Sequence, residues 1–376
     1  MSAVRVAFID QVGNIAGGAE ETLATFIESA RDKLLTHAIL FEDGAFAQRL
    51  RDLGTIVDVL TVPAAMAVST RERVRFAGAL HVPRIALRTA AILRRRRIDV
   101  VYTNSMKAHF VGALAARASG IPCVMHFHDI IGGAGLSALR AVARLGSRER
   151  IACSQMVSRT IGLASTNVIY GPIEVERYAH LPDREVARVS LGLPPARPIV
   201  ALVGRINRWK GHDRFLHIAA RVSAAVDAHF AIVGAPVFRD ADFVPELHAL
   251  VTSLGLRERV TFVPWLDDVR AIYAACDVNV NCSTREPFGR AVVEAAACGV
   301  PTVCFDDSGA AETIIDGVNG FTVSAGDEAA FAAAIVNLLT SPAAREQTGA
   351  AARAGTVRFG AAHIAEQMAA VIRRAA

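Results

Sequence analysis

The 376-residue sequence has no uninterrupted run of 18 or more apolar residues, which excludes a membrane-spanning helix of ordinary length. Its amino terminus enters a β-branched run at Val4–Ile9 instead of a basic leader with a cleavage site, so a cytoplasmic protein is expected. Its six cysteines form no Cys-x-x-Cys pair and sit mostly in apolar strands or an alanine-rich helical segment. Cysteine in such surroundings acts as a small hydrophobe, and neither a zinc site nor a disulfide framework is expected. No internal repeat and no low-complexity segment interrupts the chain.

What is present is apolar sequence enough for two cores. Hydrophobic residues make up 52% of the chain, and 376 residues exceed what one core usually supports. Short β-branched runs alternate with helical patterns from end to end, the mark of parallel sheets with helices on both faces. In the first half the expected strands are residues 4–9, 37–41, 56–60, 100–104, 123–128, 150–154 and 168–170. In the second half they are 199–203, 229–233, 260–263, 278–282, 302–305 and 321–323. Pro182, Pro194, Pro195 and Pro198 place the junction within 178–198. We therefore expect a first domain over residues 1–180, a second over 181–358 and a closing helix over 359–376. Ile364, Met368, Val371 and Ile372 lie on one side of that helix, which is expected to pack back on the first domain.

Charge is split unevenly, +7 over residues 1–180 against −2 over the rest, so the first half is the better match for an anion or an anionic surface. Residues 71–97 hold nine arginines and one glutamate and end in Arg94-Arg95-Arg96-Arg97. A solvated helix face is the plain reading; a peripheral contact with anionic lipid at the inner membrane surface, or with a phosphorylated acceptor, is the sharper one. The cluster lacks the interleaved aromatic residues that stack on bases, so no nucleic-acid partner is expected.

In open parallel sheets ligands sit beyond the carboxyl ends of strands, and several distinctive residues fall there. After the first strand comes Gly13-Asn14-Ile15-Ala16-Gly17-Gly18, a loop lacking the full Gly-x-Gly-x-x-Gly spacing but able to bring backbone N–H groups near an anion. After the fifth comes His126-Phe127-His128-Asp129. Alternation puts both histidines on one face with His128 nearer the crevice, and no third ligand of suitable spacing suggests a metal. Gly204-Arg205 and Lys210-Gly211 bracket one strand-to-helix junction, and Glu286-Pro287-Phe288-Gly289-Arg290 with Glu294 forms another. An anionic leaving group held by Arg205 and Lys210, beside hydroxyls gripped by Glu286 and Glu294, is what a nucleotide-sugar presents. Trp209 either stacks on a ligand or caps the core, and the core reading is favoured. A paired-carboxylate glycosidase is the wrong geometry: eight residues of helix span about 12 Å, more than the roughly 5–9.5 Å such enzymes need. Glu294 stands among Ala291, Val292, Val293, Ala295, Ala296 and Ala297, where a carboxylate needs a partner or a ligand.

Taken together, these motifs resemble the retaining glycosyltransferases of family 4 over nearly the whole chain. The family's Gly-Arg…Lys-Gly pair matches Gly204-Arg205…Lys210-Gly211, and its Glu-x7-Glu element matches Glu286 to Glu294. Residues 294–301, Glu312 and residues 316–321 also look like the family. The resemblance implies an α/β GT-B fold: two Rossmann-like parallel-sheet domains facing across a cleft, closing on the donor. It implies a nucleotide-sugar co-substrate, no cofactor and no obligatory metal. Arg205 and Lys210 would bind the donor diphosphate, with Gly17, Gly18, Gly289 and Arg290 near it. Glu286, Phe288 and Gly289 would meet the donor sugar, Glu294 the ribose and Leu266 the nucleobase. His128 would sit beside the reacting sugar. The acceptor would be a hydroxyl of a glycan, a lipid-linked sugar or a small molecule, as in polysaccharide assembly. This sequence departs from the family pattern at Cys282, where proline is common, at Gly171-Pro172, and at Arg290, where an apolar residue is frequent. Two further readings stay open at this point: a noncatalytic nucleotide-sugar-binding partner of another transferase, and a sugar phosphorylase on the same fold.

Overall fold

A computed structural model describes residues 3–14, 17–63, 80–236 and 240–376. The chain divides into two compact units, residues 1–172 with 361–376, and residues 173–360.

The first unit is built on seven parallel strands: β1 (Val4–Asp10), β2 (Leu34–Leu40), β3 (Ile56–Val59), β4 (Val100–Thr103), β5 (Cys123–Phe127), β6 (Glu149–Ala152) and β7 (Thr166–Val168), in the order β3-β2-β1-β4-β5-β6-β7. The second has six, also parallel: β8 (Ile199–Val203), β9 (His229–Val233), β10 (Val260–Val263), β11 (Val278–Asn281), β12 (Thr302–Phe305) and β13 (Gly320–Val323), in the order β10-β9-β8-β11-β12-β13. Every strand read from the sequence is present. The reason they were legible is that strands covered by helices on both faces read as nearly continuous apolar runs; β4, β5, β9 and β12 are buried throughout.

Local chemistry places the helix ends. Asp183 accepts from the backbone N–H groups of Glu185 and Val186, and Asp327 from that of Ala330, each supplying one of the partners that an exposed helix start lacks. In the second unit Phe215, Phe230, Phe305 and Phe331 anchor a core between sheet and helices, with the Phe305 and Phe331 rings 4.7 Å apart.

The helix Ala361–Ala375 joins the first core through Ile364, Ala365, Met368, Val371, Ile372 and Ala375, and Lys33 pairs with Glu366 at 2.5 Å. Burying each of its large apolar side chains contributes roughly 1.5–3 kcal/mol before entropy is counted. The segment expected to close the first domain behaves differently. Ile173 bridges Gly360, its N–H donating to Phe359 O at 2.9 Å, and the short helix Val175–Tyr178 packs on the helix Arg290–Ala297. These contacts draw residues 173–180 into the second unit and leave Gly360, not residue 358, as its last residue.

Candidate functional site

Both sheets reverse direction of growth at one place. In the first, β1 pairs with β2 on one side and β4 on the other; in the second, β8 pairs with β9 and β11. At such a switch point the loops leaving the two central strands run opposite ways and open a crevice. The polar residues singled out above follow these central strands.

In the second unit, β8 leads through Gly204 and Arg205 to the single turn Arg208–Lys210, and β11 leads through Asn281 and Ser283 to Glu286. The two loops are tied together. Thr284 N–H donates to Trp209 O at 2.8 Å, and Gly211 has φ +71° with its α-carbon so close to the β11 loop that a Cβ there would lie 2.2 Å from Cys282 O. Only glycine meets both demands. The outcome is that Lys210 Nζ donates to Glu286 Oε2 at 2.6 Å, and Ser283 Oγ donates to the same oxygen at 2.8 Å. Glu286 is buried. Burial alone pushes its carboxyl up, but the Lys210 charge and the hydrogen bonds from Lys210, Ser283 and Asn281 outweigh that and leave it below the usual carboxylate range. The Lys210 ammonium also lies 4.5 Å from the Trp209 ring centre, within cation–π range. Trp209 is half-buried and outside the core, so the core reading of this residue is corrected: its ring faces the ammonium.

Gly289, at φ +83°, turns the chain into the helix Arg290–Ala297. Gly309 presses against the preceding loop, donating to Glu286 O at 2.7 Å. Glu294 faces inward from that helix and is buried, and the partner that its apolar setting demanded is Arg290, whose Nε donates to Glu294 Oε1 at 2.7 Å. Phe288 is buried against Phe359, ring centres 5.9 Å apart. Arg205 is half-buried just after β8, and Leu266 is half-buried in the loop after β10, between exposed Trp265 and Asp267, which hydrogen-bond at 3.3 Å.

In the first unit the switch point is bridged by Asp10, at the end of β1, and Asn104, just past β4: Asn104 Nδ2 donates to Asp10 Oδ2 at 2.7 Å. His128 Nε2 lies 2.8 Å from Asn104 Oδ1. As alternation required, the His126 and His128 rings share a face, their centres 3.8 Å apart. His126 is fully buried; its Nδ1 meets Tyr102 OH at 2.6 Å, and its Nε2 has no hydrogen-bond partner. Burial and the neighbouring His128 and His109 keep it well below the ordinary histidine range, and thus neutral. Asp10 is fully buried too, which pushes its carboxyl up against the pull of hydrogen bonds from Asn104, Ser105 and Gln11. Asn104, Asn281 and Ser283 were not singled out in the sequence. The signal was there in each case: a polar residue at or just past the carboxyl end of an apolar central strand.

Gly17 precedes the helix Gly18–Ala30 in an extended conformation. The start of that loop is anchored, Gly13 O accepting from Phe46 N–H at 2.7 Å and Asn14 Oδ1 from Ala45 N–H at 3.0 Å; residues 15 and 16 lie outside the described residues. Of the arginine-rich segment, residues 71–79 also lie outside them. On the helix Val82–Arg95 and just beyond, Arg94 donates to the Ala118 carbonyl, while Arg95 and Arg96 pair with Asp58 at 3.3 and 3.2 Å. Arg84, Leu87 and Arg88 are exposed. Among the described residues, no helix is long and apolar enough to cross a membrane.

Comparison with known proteins gives this arrangement a family. Residues 183–355 match the group 1 glycosyl transferases and residues 44–177 match glycosyltransferase family 4. D-inositol 3-phosphate glycosyltransferase 2 of Catenulispora acidiphila is 30% identical over 301 residues, 73% of this chain and 70% of its own length. The Anabaena protein HepE, in a crystal structure with UDP-glucose, is 30% identical with a TM-score of 0.83, covering 98% of this chain and 99% of its own. Sucrose-phosphate synthase from Thermosynechococcus elongatus, at 22% identity, shares the fold with a TM-score of 0.81 over 99% of this chain and 98% of its own. Two parallel-sheet units of the GT-B type, matched along most of their length, make this chain a member of the group 1 glycosyltransferases of family 4.

Proposed function

We propose that this glycosyltransferase moves a sugar from a nucleoside diphosphate donor to an acceptor hydroxyl with retention of anomeric configuration and without an obligatory metal. The observation that carries the reading is the Lys210–Glu286 pair at the second sheet's switch point. An ammonium with donors to spare, held by a buried carboxylate and set on an aromatic face, is a preorganised site for phosphate charge. The likeness to HepE, whose crystal structures contain UDP, glucose and UDP-glucose, supports a uridine diphosphate sugar as the donor.

In this reading Lys210 and Arg205 take up the diphosphate charge, helped by backbone N–H groups at Gly289 and Arg290 and at Gly17 and Gly18. Glu286 and the Phe288–Gly289 backbone orient the sugar, Glu294 holds the ribose hydroxyls, the loop at Leu266 meets the base, and His128 lies beside the reacting sugar. The bond from the anomeric carbon to the phosphate oxygen breaks with its electron pair going to phosphate. The acceptor oxygen bonds that carbon from the same face, and its proton passes to the departing phosphate. Developing negative charge on the leaving phosphate is met by Arg205 and Lys210.

Titrating the purified protein with UDP-, GDP-, ADP- and TDP-sugars while following thermal stability tests the donor site, because a ligand bound only by the native state raises the melting temperature. One nucleotide series should stabilise, lose its effect in Arg205→Ala, and support transfer that Lys210→Ala and Glu286→Ala abolish without unfolding the protein. Unchanged turnover in both of the latter variants would sink the reading.

A further inference from the structure

Hydrogen-bond bookkeeping around Asn104 fixes more than its own position. Its Nδ2 donates to Asp10 Oδ2 at 2.7 Å and to the Ala19 carbonyl at 3.3 Å. A carboxylate and a carbonyl accept and do not donate, so the amide nitrogen must face them and the amide oxygen must point the other way. That oxygen lies 2.8 Å from His128 Nε2. It has no hydrogen to give, so the hydrogen belongs to the imidazole, and the neutral His128 ring is the Nε2–H tautomer with Nδ1 as its acceptor nitrogen.

The support extends back into the sheet. Asp10 is fully buried and cannot swing, because its Oδ1 accepts from Gln11 N–H at 2.6 Å while Oδ2 is engaged by Asn104. β1 and β4 are neighbours in register, Ile9 opposite Thr103, so the residues following each are held side by side by the ladder. On its other face the His128 ring lies against His126, and Tyr102 OH holds His126 from inside the core. One imidazole is thus fixed at its edge by an amide and at its face by a second, neutral ring.

We propose that Asp10 and Asn104 are positioning residues for His128, locking its imidazole in the Nε2–H tautomer and a single ring orientation so that it meets a sugar hydroxyl with an acceptor nitrogen. The functional half of this rests on the placing of His128 beside the reacting sugar; the tautomer follows from the geometry of the first unit alone. A hydroxyl approached by an acceptor is oriented with its hydrogen toward the ring, which discriminates against a substrate lacking that hydroxyl.

Two isosteric or near-isosteric changes test it. Asp10→Asn sets an NH2 group against either Asn104 Nδ2 or Gln11 N–H, donor against donor, and Asn104→Leu removes the amide altogether. With histidine labelled in 15N, long-range proton–nitrogen spectra of the wild type should show a pyrrole-like Nε2 and a pyridine-like Nδ1 for His128, assigned by the signals lost in His128→Ala. Both positioning variants should move those shifts toward a mixture of tautomers. Turnover of the stabilising nucleotide-sugar should fall about tenfold, as one net hydrogen bond would give, with little change in donor KM. A wild-type ring protonated at Nδ1, or tautomer shifts untouched by either variant, would overturn the positioning assignment. Full turnover in His128→Ala would overturn the functional half together with the role given to His128, while the spectra decide the positioning half by themselves.

Discussion

Replacing Lys210 with methionine removes a charge and keeps most of the aliphatic bulk that covers Trp209. Glu286 then stays behind at 6% exposure, holding the Ser283 hydrogen bond but no counter-charge at 2.6 Å. Breaking a buried pair by deleting one partner costs about 3–5 kcal/mol, and the lower figure is expected because Ser283 and Asn281 remain. The carboxyl has one escape, which is to take a proton. In the wild type its pKa is depressed, so its share of stability is present above the unfolded carboxyl pKa and is lost as pH falls through the folded one. In Lys210→Met burial acts without Lys210 and raises the pKa, so protonating the native state recovers up to about 1.4 kcal/mol per pH unit. The gap between variant and wild type should therefore be about 3 kcal/mol at pH 7 and shrink steadily toward pH 5. Both tryptophans of the chain, Trp209 and Trp265, lie in the second unit, so tryptophan fluorescence during urea unfolding reports that unit without interference from the first. A double cycle with Glu286→Gln should show coupling of about 2 kcal/mol or more. Additive single effects, or a gap that stays flat between pH 5 and 8, would refute the claim that Lys210 and Glu286 sustain each other's charge.

Three further outcomes are expected. Gly211→Ala meets a backbone oxygen at 2.2 Å, whereas Gly255→Ala has a similar φ of +68° but nothing within 4 Å; the second should cost about 1 kcal/mol and the first several times more, and equal urea midpoints would contradict this. Burial depresses His212 and His229 to about 4 and His109 to about 3. The unfolded chain therefore binds protons below about pH 6.5 that the native state refuses, and His212 and His109 should each remove about 3 kcal/mol between pH 6.5 and 4, with a smaller loss from the better-solvated His229, seen as a falling melting temperature; a rise over that range would refute it. All six cysteines are buried, and burial lifts Cys123, Cys298 and Cys304 to about 12, so alkylation at pH 8 should be at least about a thousandfold slower in the native protein than in urea. A rapidly labelled thiol in the native state would show that one of them is accessible.

The strands were legible because burial on both faces writes itself as an apolar run: β8, β9, β10 and β12 kept their expected limits, and β1, β3, β4, β5, β11 and β13 kept them within one residue. Strand alternation likewise placed His126 and His128 together. What local sequence does not carry is the pairing of side chains across long separations: Asp10 meets Asn104 and Lys210 meets Glu286 across 94 and 76 residues. The charges of Lys210 and Glu286 drew attention to both, while Asn104, a neutral amide in an unremarkable loop, drew none. Glu294 shows a different limit. The apolar helix demanded a partner for it, and the structure supplies Arg290 one turn earlier, a pairing that the spacing allowed but that only the folded geometry displays.

The helix Ala361–Ala375 also bears on how the protein is made. It fills the first core, yet about 190 residues of the second unit precede it in the chain. At roughly 5–20 residues per second, a ribosome takes on the order of 10–40 s to translate them. During that interval the nascent first unit holds an open apolar groove beside β5, β6 and the helix Gly18–Ala30, where Ile364, Met368, Val371 and Ile372 will later lie. The second unit, whose residues are contiguous, can finish folding first. Until the helix Ala361–Ala375 leaves the exit tunnel, that groove is expected to be open to holding chaperones.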